Sequence, residues 1–305
     1  MKIAVLYGGV SAEREVSLST GKQIIAALES KGHEVIGIDF HPSRLQELLE
    51  LKADVVFLGL HGKYGEDGRL QGLLDMMNIP YVGSGALASG IAMDKAKSKQ
   101  FFKDAGITIA KEKVLYRKSY SEDQVDLSFD FPVVVKPNRE GSTIGLTIAQ
   151  NKDEMLKGIT EAFLHDDTIL VEQFVSGKEV TVAVMGEHGE MQALPVVEIV
   201  PKNAYYDYES KYAEGGSIHY VPARVDDQIT ALLQKNAVLA HEVLGCEVYS
   251  RVDFIVPHDG SEPVILEVNT LPGMTPTSLF PDAAKEVGLD YPSMIEKLIE
   301  LSLKK

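Results

Sequence analysis

The sequence predicts a parallel α/β sheet at the N-terminus, then a small α+β unit, then a strand-dominated α+β final third. Three observations carry this. Over the first ninety-odd residues near-continuous apolar runs alternate with helical stripes, the pattern changes around Asp94, and from Gly177 onward strand-like runs dominate. Apolar strands without polar alternation, separated by helices, belong to a parallel sheet covered on both faces.

In order, residues 3–6 form a short apolar run ending in Gly8-Gly9, and a helical stretch extends to Lys31, where Gly32 supplies a left-handed stop. Residues 35–38 and 55–60 read as further strands. Between them Leu45, Leu48 and Leu49 mark a short amphipathic helix, and Leu70, Leu73, Leu74 and Met77 give a second helical stripe. Residues 95–105 read as a helix stopped by Gly106, and 132–137 as a strand entering the loop 138–145. A β-like run at 146–149, a helix at 152–164 and a strand at 168–172 complete the middle unit. The last third carries strands at 179–185, 193–200, 248–256 and 264–269, a helix over 226–244 and a closing helix over 292–303. Residues 202–221 are rich in Tyr and Gly without periodicity, and aperiodic loops of that length in compact domains are usually functional.

Composition excludes several classes. With 45% hydrophobic and 25% charged residues, the chain is neither disordered nor a coiled-coil rod. Its 30 Lys+Arg against 45 Asp+Glu give a net charge of −15, which argues against broad binding to nucleic acid or anionic membrane. The lone Cys246 excludes an internal disulfide and a zinc-finger framework. No apolar stretch is long enough to span a bilayer and the N-terminal run is too short for a secretory signal, so a cytoplasmic protein is expected.

The chemistry concentrates in strands 249–256 and 264–269. A period of two puts Arg251 and Asp253 on one face, and Glu267 and Asn269 on one face of the next strand. If Val256 pairs with Val264, Asp253 lies opposite Glu267 and Arg251 opposite Asn269. Opposed carboxylates repel unless something positive sits between them, and hard oxygen ligands on a rigid sheet suit Mg²⁺ or Mn²⁺ shared with phosphate oxygens. The alternative is a solvated hairpin face. A two-residue turn at Asp259-Gly260 would send the two acids to opposite faces.

Phosphate also calls for cations and backbone N–H groups. Lys136 ends a run of three valines, and the glycine-bearing loop 140–145 follows it. Neither G-x-x-x-x-G-K-[ST] nor G-x-G-x-x-G occurs, so a nucleotide site here is neither a P-loop nor a dehydrogenase crevice. Taken singly, Glu13 and Glu15 suit the positive end of the first helix, and His61 reads as a satisfied loop residue.

Together these motifs resemble the D-alanine–D-alanine ligases, an ATP-grasp family, over essentially the whole chain. The resemblance rests on Gly8-Gly9-Val10-Ser11-Ala12-Glu13-Arg14-Glu15-Val16-Ser17-Leu18, His61-Gly62, Met93-Asp94-Lys95 and Val135-Lys136-Pro137 with Glu140-Gly141-Ser142. It continues through Tyr208-Glu209-Ser210-Lys211-Tyr212, Arg251-Val252-Asp253-Phe254 and Glu267-Val268-Asn269-Thr270-Leu271-Pro272-Gly273-Met274-Thr275.

The resemblance implies a pre-ATP-grasp domain over 1–93 and a two-subdomain ATP-grasp fold over 94–178 and 179–305, with a lid loop at 202–221. It implies ATP-dependent joining of two D-alanines through an acyl phosphate, for peptidoglycan precursors, by a homodimer. By the same carry-over Glu13 pairs with the first substrate's ammonium, with Ser142 and Tyr212 holding Glu13 or lining that pocket. Arg251 and the Gly273 N–H form an oxyanion hole, Ser278 and the Leu279 N–H receive the second carboxylate, and His61 positions substrate or transfers a proton. ATP meets Lys95, Lys136, Ser142 and Lys211, with Glu172 and Val175 at adenine and Glu179 at ribose. Asp253, Glu267 and Asn269 hold two divalent ions. Relatives that make the D-lactate ester tend to carry Phe at the position of Tyr212, which favours the dipeptide here. The alternatives are a ligase of the same fold with another acceptor, and a nucleotide-sensing module without turnover.

Overall fold

The computed structural model describes residues 1–122, 125–201 and 216–305. Lys211, Tyr212 and most of the expected lid lie outside them.

Three sheets follow one another along the chain. The first is parallel, with strands β1 (Lys2–Gly8), β2 (Glu34–Phe40) and β3 (Val55–Leu58) in the order β2-β1-β3. A parallel bridge from Val56 to Tyr81 extends it. Helix α1 (Arg14–Ser30) packs on β1 so closely that a methyl group on Gly21 would overlap the Tyr7 ring, which explains a glycine inside a helix. Short helices α2 (Leu45–Leu49) and α3 (Arg69–Met76) follow. The helix α4 (Ala86–Met93) has no counterpart in the sequence reading. Its residues ALASGIAM lack a polar face, so they give no periodic stripe.

Helix α5 (Lys95–Asp104), capped by the Asp94 side chain on the Lys97 N–H, leads into the second sheet. This sheet is antiparallel and four-stranded. Its order is β4 (Glu112–Tyr116), β7 (Thr168–Gln173), β5 (Val133–Pro137), β6 (Thr147–Ala149), and α6 (Lys152–His165) covers it.

The third sheet is centred on β8 (Gly177–Met185) and β12 (Tyr249–Pro257), with β13 (Val264–Asn269) at one edge. The expected strand 193–200 is two pieces, β9 (Gln192–Ala193) and β10 (Val197–Pro201), with Pro195, which lacks an N–H for the ladder, between them. The expected loop 202–221 is also corrected at its end: Ser217–Tyr220 forms strand β11, paired antiparallel with β10. Helix α7 (Asp227–Val243) buries Leu233, Ala237 and Ala240 against Val180, Val252 and Phe254.

The chain closes with α8 (Leu279–Glu286) and α9 (Tyr291–Ser302). These helices join the core of the first sheet: Phe280, Ile295, Leu298 and Ile299 belong to the same apolar cluster as Ile3, Val5 and Leu28. The two ends of the chain therefore share one core. Leu298→Ala is expected to lower stability by about 2–5 kcal/mol in chemical denaturation. A loss under about 1 kcal/mol would mean that α9 is docked without being needed.

Candidate active site

A cleft of about 1040 Å³ opens where the three sheets meet. Its walls come from the start of α1, the turn after β3, the glycine loop after β5, the facing strands β12 and β13, and the turn leading into α8. The first sheet contributes the carboxyl ends of its strands, where open α/β sheets place their ligands.

Glu13 is buried at the start of α1, and the Ser142 hydroxyl donates to its Oε1. Ser142 reaches it from the glycine loop, where Ser142 and Thr143 adopt φ of 51° and 62°. That left-handed conformation costs an L-residue about 1–2 kcal/mol, and here it turns the hydroxyl onto a group 129 positions away.

His61 follows β3 and is buried, with Nδ1 3.2 Å from the Leu271 carbonyl and Nε2 3.3 Å from Thr20 Oγ1. A carbonyl only accepts, so Nδ1 carries the proton and Nε2 accepts from Thr20. Burial lowers the imidazole pKa against the opposing pull of Glu13, leaving a neutral ring. Beyond the next turn Glu66 accepts from the Gly62 N–H at 2.6 Å and lines the cleft. Burial, helped by the Glu13 and Glu267 charges, raises the Glu66 carboxyl to about 8. The sequence reading had no role for it.

On the third sheet Arg251 pairs with Asn269, and Asp253 with Glu267, as the arithmetic required, but by a different route. Val264 pairs with Ile255, not Val256, and the register shifts beside Asp253. Leu266 is the extra residue, a β-bulge that returns Glu267 to the face of Asp253. Asp253 is held by Arg251 through Nε at 2.9 Å and Nη2 at 2.8 Å, by Thr181 Oγ1 at 2.5 Å and by Asn269 Nδ2 at 3.0 Å. Glu267 takes Lys95 Nζ at 3.1 Å, and that ammonium also donates to the Glu140 carbonyl at 2.8 Å. Burial works against the Lys95 charge, but Glu267, with Glu172 and Glu66 behind it, outweighs burial and the pKa is raised.

The donor set fits a divalent cation. Two opposed carboxylates and an amide oxygen are hard ligands facing the cleft, and Arg251 and Lys95 balance their charge. Among the described residues no three His, Cys, Asp or Glu side chains converge, so substrate oxygens would have to complete the coordination.

At the far wall, Ser278 precedes α8 without capping it. Its Oγ turns back to the Thr275 N–H at 3.1 Å, and Pro281 has no N–H, so the first turn of α8 keeps few donors, and Leu279 at its start lines the cleft. Gly273 lines the same wall; a methyl there would come 3.3 Å from Ser278 Oγ.

The residues expected at ATP divide. Lys95, Ser142 and Glu179 line the cleft, whereas Glu172 and Lys136 lie outside its lining, in a buried ionic cluster. Val175 sits half-buried in the short link from β7 to β8. Glu172 Oε1 is 2.9 Å from Lys136 Nζ and 2.8 Å from Lys99 Nζ, and Lys99 also reaches Glu112 at 3.7 Å. Burial works to raise the Glu172 pKa, but the two ammoniums outweigh it and hold the carboxyl at about 2. Lys136 is lowered by burial and by the positive neighbours Lys99 and Lys95, and Glu112 is raised by burial. Lys99 and Glu112 escaped the sequence reading, although one signal was available. The buried stripe of α5 contains Lys95 and Lys99, one turn apart, among Ala96, Ser98 and Phe102.

A parallel sheet feeding two antiparallel sheets, with a charged cleft where they meet, defines a ligase of the ATP-grasp class. A family model for the D-ala D-ala ligase C-terminus matches residues 101–300, and one for the N-terminus matches 41–84. The chain is 64% identical over its whole length, and the whole of the relative's, to the D-alanine–D-alanine ligase of Halalkalibacterium halodurans. Among solved structures, the D-alanine–D-alanine ligase of Bacillus anthracis superposes with a TM-score of 0.87 at 35% identity, covering 100% of this chain and 98% of that one. A D-Ala:D-Ser ligase of Enterococcus faecalis gives 0.86 at 32%, covering 99% of each. The chain belongs to the D-alanine–D-alanine ligase family.

The Glu66 geometry gives a signed pH effect. Between its ordinary value of 4.5 and about 8 the folded state holds a proton that the unfolded chain has lost, so this group makes stability fall as pH rises through that window. Glu66→Gln is expected to flatten that decline in melting temperatures read from pH 5 to 9. An unchanged slope would place the titration elsewhere.

Proposed function

We propose that this chain joins two D-alanine molecules into D-alanyl-D-alanine at the expense of ATP, through a D-alanyl phosphate intermediate. The observation that carries the reading is that one cleft is lined by both signs of charge. Glu13 lines it together with Lys95 and Arg251, which pair with Glu267 and Asp253, and with Asn269. A zwitterionic amino acid whose ammonium meets Glu13 leaves its carboxylate free for the cations of the same cleft.

In the first half-reaction that carboxylate attacks the γ-phosphorus of ATP. Two anions must approach, so the residues lower the barrier by supplying positive charge. Lys95 serves this role from the cleft, with Lys136 and Lys211 joining it on the phosphates. Asp253, Glu267 and Asn269 would hold Mg²⁺ or Mn²⁺, two ions in this reading, which supply further neutralisation of the phosphates. Ser142 orients Glu13. Glu172 accepts from the adenine amino group, Val175 offers its backbone there, and Glu179 takes the ribose.

In the second half-reaction the amine of another D-alanine attacks the acyl carbon and phosphate leaves. Its carboxylate rests on Ser278 and the Leu279 N–H at the positive end of α8. Negative charge collects on the acyl oxygen, for which the Arg251 guanidinium and the Gly273 N–H are the donors. Neutral His61 positions the substrate or takes up a proton through Nε2 and Thr20. Tyr212 favours an amine acceptor. The domain division at 93 and 178, a homodimer and a cytoplasmic setting belong to the same reading, supported by the family; among the described residues no helix is long and apolar enough to cross a membrane.

The decisive experiment is phosphate release against D-alanine, L-alanine, D-serine and D-lactate with ATP. Release that requires D-alanine and yields the dipeptide is the expected result. Vigorous turnover with L-alanine alone overturns the reading, and a preference for D-serine or D-lactate as acceptor changes the product. Arg251→Ala is expected to reduce kcat about 10²–10³-fold with ATP affinity largely kept; an unchanged kcat removes Arg251 from the chemistry.

A further inference from the structure

We propose that Lys99 is a positioning residue that holds Glu172 as a pure hydrogen-bond acceptor and thereby sets the preference for a 6-aminopurine over a 6-oxopurine nucleotide. The inference rests on the nucleotide reading above and adds to it a residue with no contact to the cleft.

The argument begins with strand register. Glu112 on β4 lies directly opposite Glu172 on β7. Like charges directly opposed across an antiparallel pair destabilise it, so a cation is needed between them. Lys99 supplies it from α5, 2.8 Å from Glu172 and 3.7 Å from Glu112, with its side chain fully buried. A buried ammonium has no water to retreat to, so Lys99 stays with these acids whatever binds in the cleft.

Lys136 differs. It shares the same Glu172 oxygen at 2.9 Å, but its side chain is 12% exposed, and the functional reading assigns its ammonium to phosphate. Once Lys136 turns to phosphate, Lys99 is the cation that remains on Glu172. The carboxylate then stays ionised and can only accept. An adenine 6-amino group donates to such an oxygen. A 6-oxopurine presents a carbonyl, which also only accepts, and the two oxygens repel.

Without Lys99, and with Lys136 turned to phosphate, Glu172 keeps no cation beside it, and burial favours a proton on it, since its side chain is 4% exposed against 17% for Glu112. A protonated Glu172 donates to a 6-oxo group as readily as it accepts from a 6-amino group. The groups that decide this are Lys99 from α5, Lys136 from β5 and Glu112 from β4, with Lys95 a more distant positive charge.

The test reads equilibrium binding of MgATP and MgITP by calorimetry on the full chain, so that a missing D-alanine activity and a failure of this inference are distinguishable. The unaltered protein is expected to prefer ATP by at least about tenfold. Lys99→Met is expected to bring the ratio close to one, whereas Lys99→Arg, which keeps the charge, is expected to retain most of it. If Lys99→Met does not fold, Lys99→Met combined with Glu112→Gln removes the cation and its opposed acid together and is expected to show the same collapse. A merely structural lysine would weaken both nucleotides by one factor. An unchanged ratio in the neutral variants, or no preference in the unaltered protein, overturns the proposal.

Discussion

The site depends on two carboxylates that a sheet forces to face each other. Asp253 and Glu267 sit opposite one another because β12 and β13 pair antiparallel with Leu266 bulged out. Each acid is then obliged to find a cation, and each finds a different one: Arg251 from its own strand for Asp253, Lys95 from α5 for Glu267. Lys95 ties α5 to the third sheet and, through the Glu140 carbonyl, to the glycine loop of the second. A local repulsion in one hairpin thus orients a helix and a loop from elsewhere in the chain. The same charges make the cleft a place where phosphates and a divalent cation can meet.

The arrangement recurs one layer deeper. Glu112 and Glu172 are also opposed across a strand pair, and Lys99 answers them as Lys95 answers Glu267. The two lysines stand one turn apart on a single face of α5, so one helix serves two acidic sites. They differ in water access. Lys95 borders the cleft, where its charge can be redirected to a ligand, while Lys99 is sealed in and can act only through its partners. Burying an ammonium is tolerable only with such pairing, because the desolvation cost of an unpaired charge exceeds what a small core returns.

Much of the fold was legible because burial writes a period into sequence. The strands of the first sheet carry continuous apolar runs, and α2 and α3 carry stripes. What was lost lacked a period: α4 is small and apolar on all sides, and the Leu194-Pro195-Val196 break looks as hydrophobic as the strands beside it. The opposition of Asp253 and Glu267 was legible from spacing, although the bulge that produces it was not, since Leu266 resembles any other strand residue. Glu66 and Glu112 were illegible for a further reason. Their surroundings are assembled by residues distant in sequence, and single-residue chemistry cannot distinguish a solvated acid from one facing another acid.

Distance along the chain also explains how the cleft is closed at its first-sheet wall. Glu13 starts α1, Ser142 lies in the second sheet's loop, and α8 and α9 return from the third sheet to complete the first sheet's core. Only the covalent ends of this circuit are local; the rest is packing with a few polar ties, among them the Ser142–Glu13 contact, the His61–Leu271 hydrogen bond and the Lys31–Glu296 ion pair. The strained backbone at Ser142 and Thr143 is tolerable because the surrounding sheets are rigid enough to impose it. In return, a hydroxyl is held against Glu13, the acid to which the proposed reaction assigns the substrate's ammonium. Orientation of this kind must be present before substrate arrives if it is to lower a barrier instead of costing binding energy, and a loop left to relax would forfeit it. In the proposed reaction the left-handed turn at Ser142 is part of this preorganised geometry, supported by the same cores that hold the sheets together.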